Sequence, residues 1–516
     1  MHNHNLFLQF EAHFRQTPDK TLIDTPEGRR YAYAEMLETS QRLAGVLQSL
    51  DVQPGDRVAV QVDKSPEAIM LYLACLQAGA VYLPLNTGYT GAEIEYFLGD
   101  ASPQLYVCPP ARASDANRFY QEGRVVHVES LGTAGDGSLM ERAADAEPMT
   151  EIACLEADDL AAILYTSGTT GRSKGAMLSH ANLASNSRAL AEAWRFTADD
   201  HLLHALPIFH THGLFVACNI VLTVGASMTF LPRLDVEQLL DLMPGATVLM
   251  GVPTFYTRLL QSPRLDRDAV ANMRLFVSGS APLLAETHDQ FRERTGHVIL
   301  ERYGMTETNM NTSNPYAGER RPGTVGFPLP GSEVRITDRD SGDELPRGET
   351  GLVEVRGDNV FRGYWQMPEK TRSEFRDDGF FITGDLGRID DDGYLHIVGR
   401  DKDLVISGGY NVYPKEVEQL IDELPGVAES AVFGVRHPDL GEGVTAVIVA
   451  REGETAPDEA AVQAALADRL ARYKQPKRVF PIEALPRNVM GKVQKNQLRD
   501  AYADLYAVKE AAATAG

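Results

Sequence analysis

A chain of 516 residues exceeds what one hydrophobic core usually spans, so a large unit and at least one smaller one are expected. Hydrophobic residues at 43% and charged residues at 23% exclude a disordered or membrane-embedded chain and predict a packed globular protein. The net charge of −23, from 49 basic against 72 acidic residues, would repel a nucleic-acid backbone or an anionic membrane, so neither partner is expected.

Residues 1–10 lack the basic start and apolar run of a secretory signal, and no apolar stretch is long enough to cross a bilayer. Cys75, Cys108, Cys154 and Cys218 form no Cys-x-x-Cys pair, which argues against a disulfide framework or a cysteine zinc site and for a cytoplasmic location. Residues 57–63 read as an apolar strand, 67–78 as a helix and 80–85 as a second strand, the rhythm of parallel sheets with crossover helices. The rhythm continues through strands at 246–252 and 273–278. From Gly323 onward short segments broken by Gly, Pro and Asp, as at 351–356 and 391–397, predict a small β subdomain. Further on, Tyr413-Pro-Lys-Glu opens a helix and 429–435 reads as a strand. The expected class is α/β: an N-terminal domain over 1–400 holding parallel α/β sheets and the β subdomain, a smaller α+β C-terminal domain over 401–508, and an Ala-rich tail over 509–516.

The strongest local signal follows the apolar run 160–164: Tyr165-Thr-Ser-Gly-Thr-Thr-Gly-Arg-Ser-Lys-Gly175. Small residues at Ser167, Gly168, Thr169, Thr170 and Gly171 let backbone N–H groups converge on an anion, the hydroxyls from Thr166 onward add donors, and Lys174 adds charge. The Gly-Lys-Ser/Thr order of a Walker A loop is absent. This loop resembles the phosphate-binding signature of the adenylate-forming enzymes, which include acyl-CoA synthetases, adenylation domains and luciferases. Four more of that family's motifs follow in order: Tyr303-Gly-Met-Thr-Glu-Thr308, Thr383-Gly-Asp385, Gly399-Arg-Asp-Lys-Asp403 and Pro486-Arg-Asn-Val-Met-Gly-Lys492.

The resemblance implies an ATP-dependent acid–thiol ligase that forms an acyl-adenylate and transfers the acyl group to coenzyme A. It implies that Glu307 holds Mg²⁺ on the phosphates, that Thr306 meets the α-phosphate, and that Lys492 bridges the acyl carboxylate and the nucleotide. Adenylation brings two anions together, which is why cations are needed there. By the same resemblance Ser280, Ala281 and Pro282 lie along the adenine, with Arg302, Tyr303, Gly304 and Met305 completing the nucleotide site. Asp385 and Arg400 grip the ribose, Asp401 or Lys402 is the pivot about which the C-terminal domain turns, and Ser407, Gly408 and Gly409 approach the pantetheine arm.

Arg302 stands directly before Tyr303, where many fatty-acid-activating relatives carry an uncharged residue. An alkyl chain would leave a guanidinium unpaired, whereas a second carboxylate can bind it bidentately. Segments 277–282, 301–308 and 319–323 most resemble the malonate-activating members, so malonate is the expected acid, with methylmalonate slower and Met305 closing a short pocket. His210, Arg258 and Ser278 are candidate acyl contacts; His210 and His212 as a metal pair lack a third ligand. Arg302 has a competing reading as an internal ion pair with Glu301 or Glu307. A short-chain monocarboxylic or aromatic acid, or loading of a carrier protein, remain alternatives, although no carrier segment follows Lys492. A lysine acetyltransferase acting on Lys492 would switch off the first step by removing its charge, and a deacetylase would restore it.

Overall fold

The computed structural model describes residues 3–166, 173–408, 410–488 and 491–506. The expected tail over 509–516 and the loop residues Ser167, Gly168, Thr169, Thr170, Gly171 and Gly409 lie outside these. The chain divides into two compact units, residues 1–334 with 355–381, and residues 335–354 with 382–516.

The larger unit is built on two sheets. One has nine strands, with a parallel centre made of Ser227–Phe230, His201–His204, Val248–Gly251, Leu275–Ser278 and Leu300–Met305. Val248–Gly251 and Leu275–Ser278 are buried at every position, as strands covered on both faces must be. The other has six strands, in which Arg57–Val60 pairs in parallel with Val81–Pro84 and Leu105–Cys108. At its edge Leu160–Thr166 runs antiparallel to Lys174–Ser179, so the glycine- and threonine-rich loop joins two antiparallel strands.

Helix Pro66–Ala78 is buried along its whole length, which its apolar composition on all sides requires. Ser65 caps its start by accepting from the Ala68 N–H, and Gly79 at φ 75° ends it. Tyr72 on this helix packs against Tyr82 of the six-stranded sheet, 5.2 Å between ring centroids, and against Phe215, 6.0 Å away. The helix therefore joins the two layers, and chain segments leaving the C-terminal ends of both sets of parallel strands come together.

A four-stranded sheet of Ser332–Thr337, Gly351–Gly357, Phe381–Ile389 and Leu395–Arg400 forms where short strands were expected, and the division between the units runs through its chain. The boundary expected after Arg400 falls within the smaller of these two units. In the smaller unit, helix Pro414–Asp422 and strand Val427–His437 form where the sequence places a helix and a strand. Alternation along the latter sends Val432 toward Val417, Ile421 and Val462, and Ala431, Phe433 and Val435 toward Leu485 and Leu498. Both faces of that sheet are thus covered. No helix among the described residues is long and apolar enough to cross a membrane.

Candidate functional site

In the larger unit Arg302 lies against Gly279, next to Ser278 in the chain, and acts on His212. Strand Leu300–Met305 sends successive side chains to opposite faces, so neighbouring Glu301 and Arg302 do not neutralise each other. Glu301 is buried against His288, 2.8 Å from its Nε2, and also accepts from the backbone N–H groups of Leu283 and Gly323. Arg302 is also buried, and its Nε and Nη2 have no hydrogen-bond partner. Its guanidinium lies against Gly279: a Cβ there would stand 2.4 Å from Arg302 Cζ. Burial pushes the Arg302 pKa down to about 9, the mark of an enclosed cation lacking an anion. The ion pair with Glu301 or Glu307 does not form.

Around this cation the structure gathers other unmet polar atoms. Ser278 Oγ, Thr211 Oγ1 and His212 Nε2 are buried without hydrogen-bond partners. His212 Nδ1 is 3.5 Å from Ser280 Oγ, and burial, then the charges of Arg302, His210 and His204, hold its pKa well below the usual range, so the ring is neutral. Ser280 has φ 71°, a left-handed conformation unusual for a side-chain-bearing residue and most often found strained at binding sites. Buried polar atoms are normally satisfied, so a group of unsatisfied ones points to a polar ligand. Arg258 is exposed on helix Pro253–Gln261, whose buried Tyr256 donates to the Val277 carbonyl at 2.6 Å. No ion pair among the described residues holds Arg258 in place.

Tyr303, Gly304, Met305 and Thr306 lead into the hairpin from Leu300–Met305 to Asn309–Ser313. Gly304 is required there, since a Cβ would stand 1.9 Å from the Asn309 carbonyl. The hairpin buries Glu307, whose Oε1 lies 3.0 Å from the Tyr364 hydroxyl. The same hydroxyl is 2.6 Å from Glu374 Oε2, and a phenol has one proton, so the shorter contact takes it. Glu374 also holds Lys370 at 2.5 Å and Lys174 at 3.4 Å, with the Lys174 ammonium 4.2 Å above the Tyr364 ring. Burial opposes ionisation of Glu374, but Lys370, Tyr364 and Lys174 outweigh it and keep its pKa lowered. Among the described residues no group of three or more His, Cys, Asp or Glu could cage a metal. Glu307 suits Mg²⁺, which is typically bound by one or two carboxylates together with substrate phosphates and water.

In the smaller unit Asp385 and Arg400 are register partners on adjacent strands, with Arg400 Nε 2.7 Å from Asp385 Oδ1. Asp385 is buried and Arg400 Nη1 also donates to the Thr383 carbonyl. Residues Asp401–Asp403 form one 3₁₀ turn, held by Arg339 at Asp401 and Arg499 at Asp403. Burial and the nearby arginines lower Lys402 to about 8. Ser407 is buried at the end of its strand, and Gly408, at φ 61°, donates its N–H to the Leu440 carbonyl.

Lys492 is exposed on a loop whose backbone is fixed: its N–H donates to Asn488 Oδ1 at 3.0 Å, and its carbonyl accepts from the Asn488 N–H at 2.9 Å. Lys495 instead lies 2.5 Å from buried Glu418, which also accepts from the Val432 N–H. Nothing local in the sequence points to His212 as a pocket residue, or to Tyr364, Glu374 and His204. A lysine at the C-terminal end of a parallel strand, Lys64, was the one signal present, because ligands of such sheets bind at those ends.

Comparison with known proteins bears on both units. The family described as AMP-binding enzyme matches residues 10–365, and its C-terminal domain matches residues 416–492. The ATP-bound structure of MatB from Rhodopseudomonas palustris is 58% identical, covers 98% of this chain and all of its own, and superposes with a TM-score of 0.95. The malonate–CoA ligase of Arabidopsis thaliana is 35% identical over 92% of this chain and 85% of its own. The long-chain-fatty-acid–CoA ligase of Bacillus subtilis (strain 168) is 32% identical over 95% of this chain and 93% of its own.

The two lysines of the C-terminal loop should behave oppositely in a melting experiment. Lys495→Ala leaves Glu418 buried without its closest cation and is expected to cost about 3 kcal/mol, whereas Lys492→Ala should change stability by less than about 0.5 kcal/mol. Burial opposes the Glu418 charge, but Lys495 and Lys415 keep its pKa lowered. The pair's contribution is therefore present above the ordinary glutamate range and is lost as pH falls through the lowered value. Equal melting temperatures for the two variants at neutral pH would contradict the assignment.

Proposed function

Because the chain belongs to the AMP-binding enzyme family, we propose that it is an AMP-forming ligase converting malonate, ATP and CoA to malonyl-CoA, AMP and diphosphate through a malonyl-adenylate. The observation that carries the choice of acid is the enclosed Arg302 guanidinium with two nitrogens lacking acceptors. One carboxylate of malonate reacts, and the other is positioned to take those donors. Malonate is also the acid named for the Arabidopsis relative. At the identity shared with the fatty-acid ligase, overall similarity alone does not select the acid, so the argument rests on the pocket.

In this reading the loop from Thr166 to Gly171 and Lys174 cradle the phosphates, while Ser280, Ala281, Pro282 and Tyr303 to Met305 enclose the adenosine side. Glu307 would hold Mg²⁺, which neutralises charge on the phosphates, and Thr306 would donate to the α-phosphate. His210, Ser278 and Met305 shape the acyl pocket, with Arg258 able to swing toward an anion. Asp385, its carboxylate fixed by Arg400, offers acceptors to the ribose diol. Lys492 supplies the cation for adenylation: a unit charge about 4 Å from the developing charge contributes about 4 kcal/mol at an effective dielectric near 20, about a thousandfold in rate. Turning about Asp401 or Lys402 would then bring Ser407, Gly408 and Gly409 to the pantetheine thiol. Methylmalonate is the slower substrate, acetylation of Lys492 would block the first step, and the cytoplasm, where free CoA and reduced thiols coexist, is the fitting location.

Malonate and butyrate, matched in size, test the acid. Losing a charged, buried hydrogen-bonding partner lowers affinity for the complementary group by about a hundredfold or more. In Arg302→Ala the malonate-to-butyrate ratio of kcat/KM should fall by that order; an unchanged ratio removes the dicarboxylate reading. For the chemistry, Lys492→Ala should lose malonate-dependent ATP–diphosphate exchange yet still convert supplied malonyl-adenylate and CoA to thioester. Equal loss of both half-reactions would refute the division of labour.

A further inference from the structure

Lys64 lies in the short connection between strand Arg57–Val60 of the six-stranded sheet and helix Pro66–Ala78. Its ammonium is enclosed by protein and reaches across to the nine-stranded sheet. There Nζ stands 2.7 Å from His204 Nδ1 and 2.7 Å from the His204 carbonyl, and 4.2 Å from the centre of the Phe230 ring. No carboxylate among the described residues pairs with it. Burying a cation without a counter-ion is costly, and here only a ring nitrogen, a carbonyl and an aromatic face offset the cost.

The proton positions follow from the partners. The other ring nitrogen of His204, Nε2, is 2.8 Å from the Gly213 carbonyl, which can only accept. Nε2 therefore carries the proton, and Nδ1 presents its lone pair to the Lys64 ammonium. Burial lowers the pKa of both groups, and the Lys64 charge lowers His204 further, which keeps the ring neutral and the tautomer fixed.

Gly213 belongs to the π-helical turn His212–Cys218, a form that often marks functional sites. The turn before it is closed so tightly that a Cβ on Gly213 would stand 2.0 Å from the Pro207 carbonyl. One residue earlier, His212 faces Ser280 and feels the Arg302 charge. A connected path thus runs from Lys64 through His204 and Gly213 to the turn that carries His210 and His212, ending beside Arg302.

We propose that Lys64 is a positioning and specificity-determining residue of the acyl pocket. Through His204 it fixes the His210–His212 turn, and with it the alignment of the polar groups that would meet a second carboxylate beside Arg302. The inference rests on the dicarboxylate reading above. It assigns Lys64 no contact with the substrate.

The test compares malonate with butyrate in wild type, Lys64→Met and Lys64→Arg, following kcat and KM separately and recording melting temperatures. In Lys64→Met the malonate-to-butyrate ratio of kcat/KM should fall about tenfold, the order expected when one hydrogen bond to a charged group is misaligned. The loss should lie mainly in the malonate KM, and Lys64→Arg should recover much of the ratio. A parallel fall for both acids would make Lys64 a tie between the sheets and overturn the proposal, as would an unchanged ratio. Should Lys64→Met not fold, Lys64→Ala also leaves His204 Nδ1 without its donor and carries the same expectation. If Arg302→Ala lowers the ratio and the Lys64 variants do not, this inference alone fails. If Arg302→Ala leaves the ratio unchanged, the dicarboxylate reading fails with it.

Discussion

The acyl site depends on a guanidinium that the fold encloses and does not neutralise. Two local constraints make this possible. Strand alternation sends Glu301 to His288 and away from Arg302, although the two are consecutive. The missing Cβ of Gly279 leaves the space into which the guanidinium settles. Breaking a buried ion pair typically costs several kcal/mol, a large fraction of the stability of an ordinary domain. An arginine held from the outset in the unpaired condition therefore gives a bound anion a correspondingly large advantage over an alkyl group. In a chain carrying a net charge of −23, such a site is a local reversal of sign.

The nucleotide side of the larger unit is arranged on the opposite principle. Lys174 is already satisfied by Glu374, which is itself held by Lys370 and by the Tyr364 hydroxyl. Because Tyr364 also touches Glu307, the residue expected at Mg²⁺ and the lysine expected at the phosphates are joined through two side chains. Charges compensated in this way can exchange partners with little net change in energy. The uncompensated Arg302 cannot, and in the proposed reading this difference places discrimination at the acid.

Much of the architecture was legible because it is written locally. Apolar strands buried on both faces, the Ser65 cap with Pro66 after it, and Pro414 opening its helix are all decided by short-range chemistry. One of the ordered motifs is legible for the same reason: the tight hairpin demands glycine at Gly304. Whether Arg302 would pair internally was open in the sequence, since Glu301 and Glu307 are both near in the chain. Only the direction in which each side chain leaves its strand decides it. Lys64 with His204, separated by 140 positions, and Lys174 with Glu374, separated by 200, depend on which segments the fold brings together. No local pattern carries that information.

The C-terminal loop shows how burial separates residues that sequence alone makes look alike. Lys492 and Lys495 are three positions apart and of the same type. Helix Lys495–Ala501 begins at the second of them and directs it onto buried Glu418, where losing it would strand a charge. The first precedes the helix, on a turn that Asn488 closes from both its backbone and its side chain, so the main chain is fixed while the ammonium stem points outward. A fixed backbone limits the entropy lost when the side chain meets an anion, and exposure keeps it from the structural duty that Lys495 performs. The loop thus joins a lysine that holds the smaller unit together to an exposed one on a fixed backbone, the one proposed above for the chemistry.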